Sequence, residues 1–143
     1  MFTGIITDLG SVEAILKRRD TRFQINTSYD TNSIALGASI SCSGTCLTVV
    51  EKGKNWFATD VSGETLSKTT LGCWSEGTPV NLERSLKLSE ELGGHFVAGH
   101  VDGVGVITSI DQEGDSLKFE FSFPEDLARF IARKGSITVN GVS

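Results

Sequence analysis

The chain lacks the charge and the segments that several function classes need. It has no basic excess: 13 Lys and Arg stand against 18 Asp and Glu, for a net charge of −5 with both histidines neutral. It therefore offers no basic face to nucleic acid or to an anionic membrane, and neither is expected as a partner. No apolar run approaches the roughly 18 residues of a membrane helix, and the N-terminus has neither a charged start nor a long apolar stretch, so a soluble, unexported, cytoplasmic protein is expected. The three cysteines, Cys42, Cys46 and Cys73, are odd in number and unpatterned. That suits a reducing compartment better than a disulfide framework.

Familiar chemical signatures are missing too. Cys42-x3-Cys46 with His95-x4-His100 matches no common structural zinc spacing, so no metal is expected. Gly99-x3-Gly103-x-Gly105 falls short of the dinucleotide fingerprint and its strand-to-helix setting, and there is no Walker lysine. Those glycines read instead as bulges that let backbone approach a neighbour or a flat ligand. Asp111 to Asp115 is too short for a calcium loop and reads as a solvated turn.

What is present is an internal repeat. Met1-Phe2-Thr3-Gly4-Ile5-Ile6-Thr7-Asp8-Leu9-Gly10-Ser11-Val12 lies over Phe96 to Ile107 at an offset of about 95, matching Gly4 to Gly99 and Gly10 to Gly105. A second block, Ile34 to Cys46, returns as Ile131 to Ser143 two residues further on, so that Cys46 meets Ser143. Two matched blocks in one order indicate a duplicated module. The expected domains are residues 1–92 and 93–143, the second represented by its first half, so that a longer polypeptide is expected.

Within each module the pattern is of short strands. Phe2 to Thr7 and Ser11 to Leu16 read as two strands split at Asp8-Leu9-Gly10, Arg22 to Asn26 alternates with period two, and further strands follow at Ser39 to Ser41, Cys46 to Glu51, Trp56 to Val61 and Pro79 to Arg84. About six short strands punctuated by glycine predict a small closed antiparallel barrel, because closure removes exposed edges. After the seam, Val104 to Ile110 and Leu117 to Phe123 repeat the hairpin. Pro124-Glu125-Asp126, with Leu127, Phe130 and Ile131 at helical spacing, predicts a short helix near 125–134. Glu64 to Thr70 reads as a short helix or turn.

The residues that invite chemistry are few. His95 and His100, in a glycine-rich segment, suit proton shuttling near neutral pH, substrate orientation or structural hydrogen bonding. Cys46 is by default a small buried hydrophobe. Its counterpart Ser143, however, puts a thiol in one module and a hydroxyl in the other, a pair that core packing seldom needs. Met1-Phe2-Thr3-Gly4-Ile5-Ile6, Gly44-Thr45-Cys46-Leu47-Thr48-Val49, Asp60-Val61-Ser62-Gly63-Glu64-Thr65-Leu66, Asn81-Leu82-Glu83-Arg84, Gly93 to Asp102 and Asn140-Gly141-Val142-Ser143 together resemble riboflavin synthase of the trimeric, tandem-barrel type.

The resemblance implies an all-β fold of two six-stranded antiparallel barrels in tandem, the second incomplete here. It also implies a homotrimer and a reaction without metal or redox cofactor. Two 6,7-dimethyl-8-ribityllumazine molecules would exchange a four-carbon unit to give riboflavin and 5-amino-6-ribitylamino-2,4-pyrimidinedione. By motif, Gly4, Ile5, Ile6, Cys46, Leu47, Thr48, Asp60, Val61, Ser62, Gly63, Glu64 and Thr65 would line a first substrate site. Gly99, His100, Val101, Lys134 and Ser143 would line a second. His100 would carry a proton, with Ser143 and Cys46 positioning or activating the nucleophile. The lumazine-binding antenna proteins of luminous bacteria share this fold and bind one chromophore without catalysis; they are the alternative.

Overall fold

The computed structural model describes residues 1–143. Six strands close a barrel: β1 (Asp8–Lys17), β2 (Thr21–Asn26), β3 (Ser39–Cys42), β4 (Thr45–Gly53), β5 (Trp56–Val61) and β6 (Pro79–Arg84), in the spatial order β1-β2-β5-β4-β3-β6. Neighbours are antiparallel, and closure runs through β1 and β6, from Asp8 opposite Leu82 to Ser11 opposite Pro79. Pro79 sits at the start of its strand, where a missing N–H costs the ladder least. Alternation in β2 turns Phe23 and Ile25 inward, and they meet Phe57, Val61, Val80 and Leu82 in one core cluster. Each such side chain removed from water contributes about 1.5–3 kcal/mol. The helix α1 (Gly63–Lys68) and the 3-10 turn Thr70–Cys73 follow β5 and deliver Leu71 into the core. No helix is long and apolar enough to cross a membrane.

Two expectations are corrected. Residues 2–7 do not form a strand of their own, and Asp8-Leu9-Gly10 opens β1 rather than separating two strands. Asp8 is held beside the end of β2 by its carboxylate, which accepts hydrogen bonds from Thr27 Oγ1 (2.6 Å), Ser28 N (2.9 Å) and Ser28 Oγ (2.6 Å). Gly10 lies where a Cβ would be 2.4 Å from the Asn26 carbonyl oxygen, so glycine there marks close strand approach rather than a turn. The expected helix near 125–134 is a six-residue 3-10 turn, Glu125–Phe130. Its preceding Pro124 gives no side-chain cap, and no core receives Phe130 or Ile131, which stay 72% and 41% exposed.

Beyond the barrel, β7 (Val106–Glu113) and β8 (Ser116–Ser122) form a hairpin. It repeats β1–β2 in detail: the ladder shifts between Ile107 and Ser109 as it does between Val12 and Ala14, and Ile110 faces Phe119 as Ile15 faces Phe23. Phe23 is 2% exposed, whereas Phe119 is 45% exposed.

Candidate functional site

Two glycine turns build the site. Ser43-Gly44 joins β3 to β4, and Asn140-Gly141 joins Val139 to Val142, with φ of 47° and 87° in the first turn and 51° and 87° in the second. Positive φ at both central residues is the two-residue hairpin turn that asparagine and glycine favour. The turns lie back to back: a Cβ on Gly44 would be 2.8 Å from Gly141 N, and one on Gly141 would be 2.9 Å from Gly44 N. Beside them Phe2 and Val97 exchange backbone bonds, Phe2 N to Val97 O at 2.8 Å and Val97 N to Phe2 O at 3.0 Å. These pairs are the repeat's own equivalents, so the modules meet about a local two-fold axis.

Around that axis each module lends its opening segment to the other. Cys46, the second residue of β4, donates its N–H to Gly99 O at 2.8 Å, and Ser143 donates its N–H to Gly4 O at 2.8 Å. Gly99 and Gly4 have φ of 78° and 79°, and a Cβ on either would approach Cys46 Cβ to 2.8 Å or Ser143 Cβ to 2.5 Å. Here the left-handed backbone and the close contact both require glycine. The expected grouping is therefore exchanged: Cys46 shares its surroundings with Gly99-His100-Val101, and Ser143 shares its own with Gly4.

Thr45, Cys46, Glu64, Thr65, Lys68, Thr69, Gly99, His100 and Val101 line one cavity of about 220 Å³. Ser62 shapes its rim by accepting the Thr65 N–H at 3.2 Å as the cap of α1, whose first residue is Gly63. Asp60 does not turn inward, because Arg22 grips its carboxylate through Nε at 2.7 Å and Nη2 at 2.9 Å, and that hydrogen bonding holds Asp60 below the usual carboxylate range. Leu47 and Val61 are core residues, and Thr48 is exposed.

On the Ser143 side, the hydroxyl lies 2.7 Å from His95 Nδ1, and the same ring's Nε2 lies 3.2 Å from Thr138 Oγ1. Ile6 reaches toward Gly141. Ile5 lines a larger cavity of about 450 Å³ with Thr3, Glu83, Arg84 and Lys87 among others. Lys134 stands in an exposed turn at φ 60°, the repeat position of Gly37 at φ 84°. Sequence reasoning missed the His95–Ser143 contact, along with Thr45, Lys68 and Thr69. For His95 the signal was its place in the glycine-rich seam, and for Thr45 its place beside Cys46 in the Gly44–Val49 motif; Lys68 and Thr69 carried none. Chemically, one side sets the Ser143 hydroxyl against the His95 imidazole and the other places the Cys46 thiol and the His100 imidazole in one cavity.

A six-stranded barrel that exchanges opening segments with the start of a repeated module is the architecture these features define, and comparison with known proteins agrees. The family model of the lumazine binding domain matches residues 3–85 and 98–143. The riboflavin synthase of Brucella abortus (strain 2308) is 50% identical over 149 aligned residues, covering 100% of this chain and 74% of that protein. Crystal structures of LumP complexed with riboflavin and with 6,7-dimethyl-8-(1'-D-ribityl) lumazine superpose at TM-scores of 0.88 and 0.86. Their identities are 30% and 28%, over 99% of this chain and 78% and 77% of those chains. The chain belongs to the riboflavin synthase family, whose barrels are lumazine-binding domains.

Proposed function

We propose that the two modules, residues 1–92 and 93–143, present one lumazine site each and perform the riboflavin synthase dismutation. Two 6,7-dimethyl-8-ribityllumazine molecules react, one giving up a four-carbon unit and leaving as 5-amino-6-ribitylamino-2,4-pyrimidinedione, the other accepting it and leaving as riboflavin. The first site takes its ligand between Cys46, Glu64, Thr65, Gly99, His100 and Val101. The second takes it between Gly4, Ile5, Ile6 and Ser143. His100 removes and returns the proton of a C7 methyl group, and Cys46 and Ser143 position or activate the nucleophile that adds to the other lumazine. Lys134 and the Asp60 to Gly63 backbone complete the recognition surface, in a cytoplasmic homotrimer.

One observation carries this reading: the reciprocal crossing in which Cys46 N–H meets Gly99 O and Ser143 N–H meets Gly4 O, both at 2.8 Å. Two equivalent crossings, each built from both modules, suit a reaction between two identical substrates. Holding such planar reactants in register supplies on the order of 7–11 kcal/mol of the barrier reduction. A second reading, ligand binding without turnover, is favoured by the LumP structures with bound riboflavin and lumazine. Mixing the protein with 6,7-dimethyl-8-ribityllumazine and following absorbance and fluorescence separates the two. Riboflavin formed over many turnovers is the expected result; tight binding without product supports the second reading, and neither binding nor product overturns both.

A further inference from the structure

We propose that Glu83 is a positioning residue for the Gly4–Ser143 crossing, fixing the backbone strip that the first module lends to the second. The inference rests on the reading of that crossing as part of a lumazine site. Glu83 lies on β6 and is 4% exposed. Its Oε1 accepts hydrogen bonds from Thr3 N at 2.6 Å and Thr3 Oγ1 at 2.6 Å, and its Oε2 accepts one from Gly4 N at 2.9 Å. Thr3 Oγ1 also accepts the Ile5 N–H at 3.2 Å. No lysine or arginine forms an ion pair with Glu83. A buried carboxylate is costly unless hydrogen bonds satisfy it, and here every donor comes from one dipeptide about 80 positions away.

That geometry fixes what the other edge of the strip does. With both amides turned to Glu83, the carbonyls turn the opposite way, where Thr3 O accepts from His95 N at 3.1 Å and Gly4 O accepts from Ser143 N at 2.8 Å. The carboxylate and the second module thus hold one peptide strip from its two edges. All three of these hydrogen bonds to Glu83 come from Thr3 and Gly4 and none from the repeat's equivalent strip, Ala98-Gly99, so the loss of Glu83 acts on the Gly4–Ser143 crossing and not on the Gly99–Cys46 one.

Glu83→Gln keeps the shape but replaces one acceptor oxygen with an NH2 group facing a backbone N–H. The test is amide hydrogen exchange in the whole chain. The His95 and Ser143 amides should exchange at least tenfold faster, while the Cys46 amide, bonded to Gly99 O, stays within twofold. With 6,7-dimethyl-8-ribityllumazine as probe, the shift of the His95 ring resonance should need about tenfold more ligand, with protection of Cys46 from iodoacetamide unchanged. Thr3→Val keeps two of the three bonds and should raise the same two exchange rates about threefold, which decides the matter if Glu83→Gln does not fold. Unchanged His95 and Ser143 exchange, or equal loss of protection at Cys46, overturns the proposal. Failure of lumazine to bind the unaltered chain overturns the functional reading instead, leaving the exchange pattern to decide the role of Glu83.

Discussion

Replacing Gly99 with alanine tests the crossing of the modules most directly, because two penalties fall on one methyl group. Gly99 has φ 78°, a left-handed backbone that costs an L-residue about 1–2 kcal/mol. The added Cβ would also stand 2.8 Å from Cys46 Cβ, 3.0 Å from Cys46 N and 3.0 Å from Phe2 Cε2. These neighbours belong to a hydrogen-bonded strand and a buried ring, and forcing them apart costs about 1–3 kcal/mol more. Gly77 supplies the control: its φ is 86° and an added methyl would meet nothing within 4 Å, so Gly77→Ala carries the backbone penalty alone. Urea unfolding followed by the fluorescence of Trp56 and Trp74 should place Gly99→Ala roughly 1–3 kcal/mol below Gly77→Ala at equal m-value. The Cys46 amide should lose its exchange protection in the first variant and keep it in the second. Equal destabilisation of the two, with Cys46 still protected, would refute the claim that Gly99 packs on Cys46.

Other outcomes follow from the same geometry. Burial raises the Asp8 carboxyl, but the hydrogen bonds from Ser28 and Thr27 outweigh it and leave the folded-state value below the ordinary one. Its contribution is therefore present above the unfolded carboxylate range of about 4 and is lost as pH falls through the lower folded value, so Asp8→Asn should flatten the acid limb of a stability–pH curve. His100→Gln should lower turnover by about 10²–10⁴-fold with a much smaller change in lumazine affinity; unchanged turnover would remove His100 from proton transfer. Phe23→Ala should cost about 3–5 kcal/mol in chemical denaturation. A loss below about 1 kcal/mol would refute its place in the barrel core.

Much of the barrel is legible because period-two alternation is a local signal. Trp56–Val61 and Pro79–Arg84 have in the structure the bounds their sequence implies, and the matched glycines reveal the repeat. The opening segment misleads because Asp and Gly in succession resemble a turn, and only the folded chain brings Thr27 and Ser28 to Asp8. Leu127, Phe130 and Ile131 fit a 3-10 turn as well as an α-helix, and a spacing pattern on so short a segment does not distinguish them. For the site, the residue types are readable and their partners are not. Alternation says which side of a strand a residue faces, never which module lies beyond it, so the exchange of Gly4 and Gly99 between Ser143 and Cys46 is invisible in the sequence. The His95–Ser143 contact, 48 positions apart, is hidden for the same reason.

The Phe2–Val97 bridge sets a timetable for the newly made chain. Chains grow at about 5–20 residues per second, so the N-terminus, made first, waits roughly 5–20 s before its partner at Val97 is even polymerised. Once Arg84 has left the ribosomal exit tunnel, which holds the last few tens of residues made, β1 to β6 can zip into a barrel, since their pairings need nothing beyond Arg84. The opening residues then dangle from a finished domain until the seam leaves the ribosome. Premature capture of that segment by another nascent chain would entangle two polypeptides, and Glu83, synthesised before Val97, is placed to hold it at home.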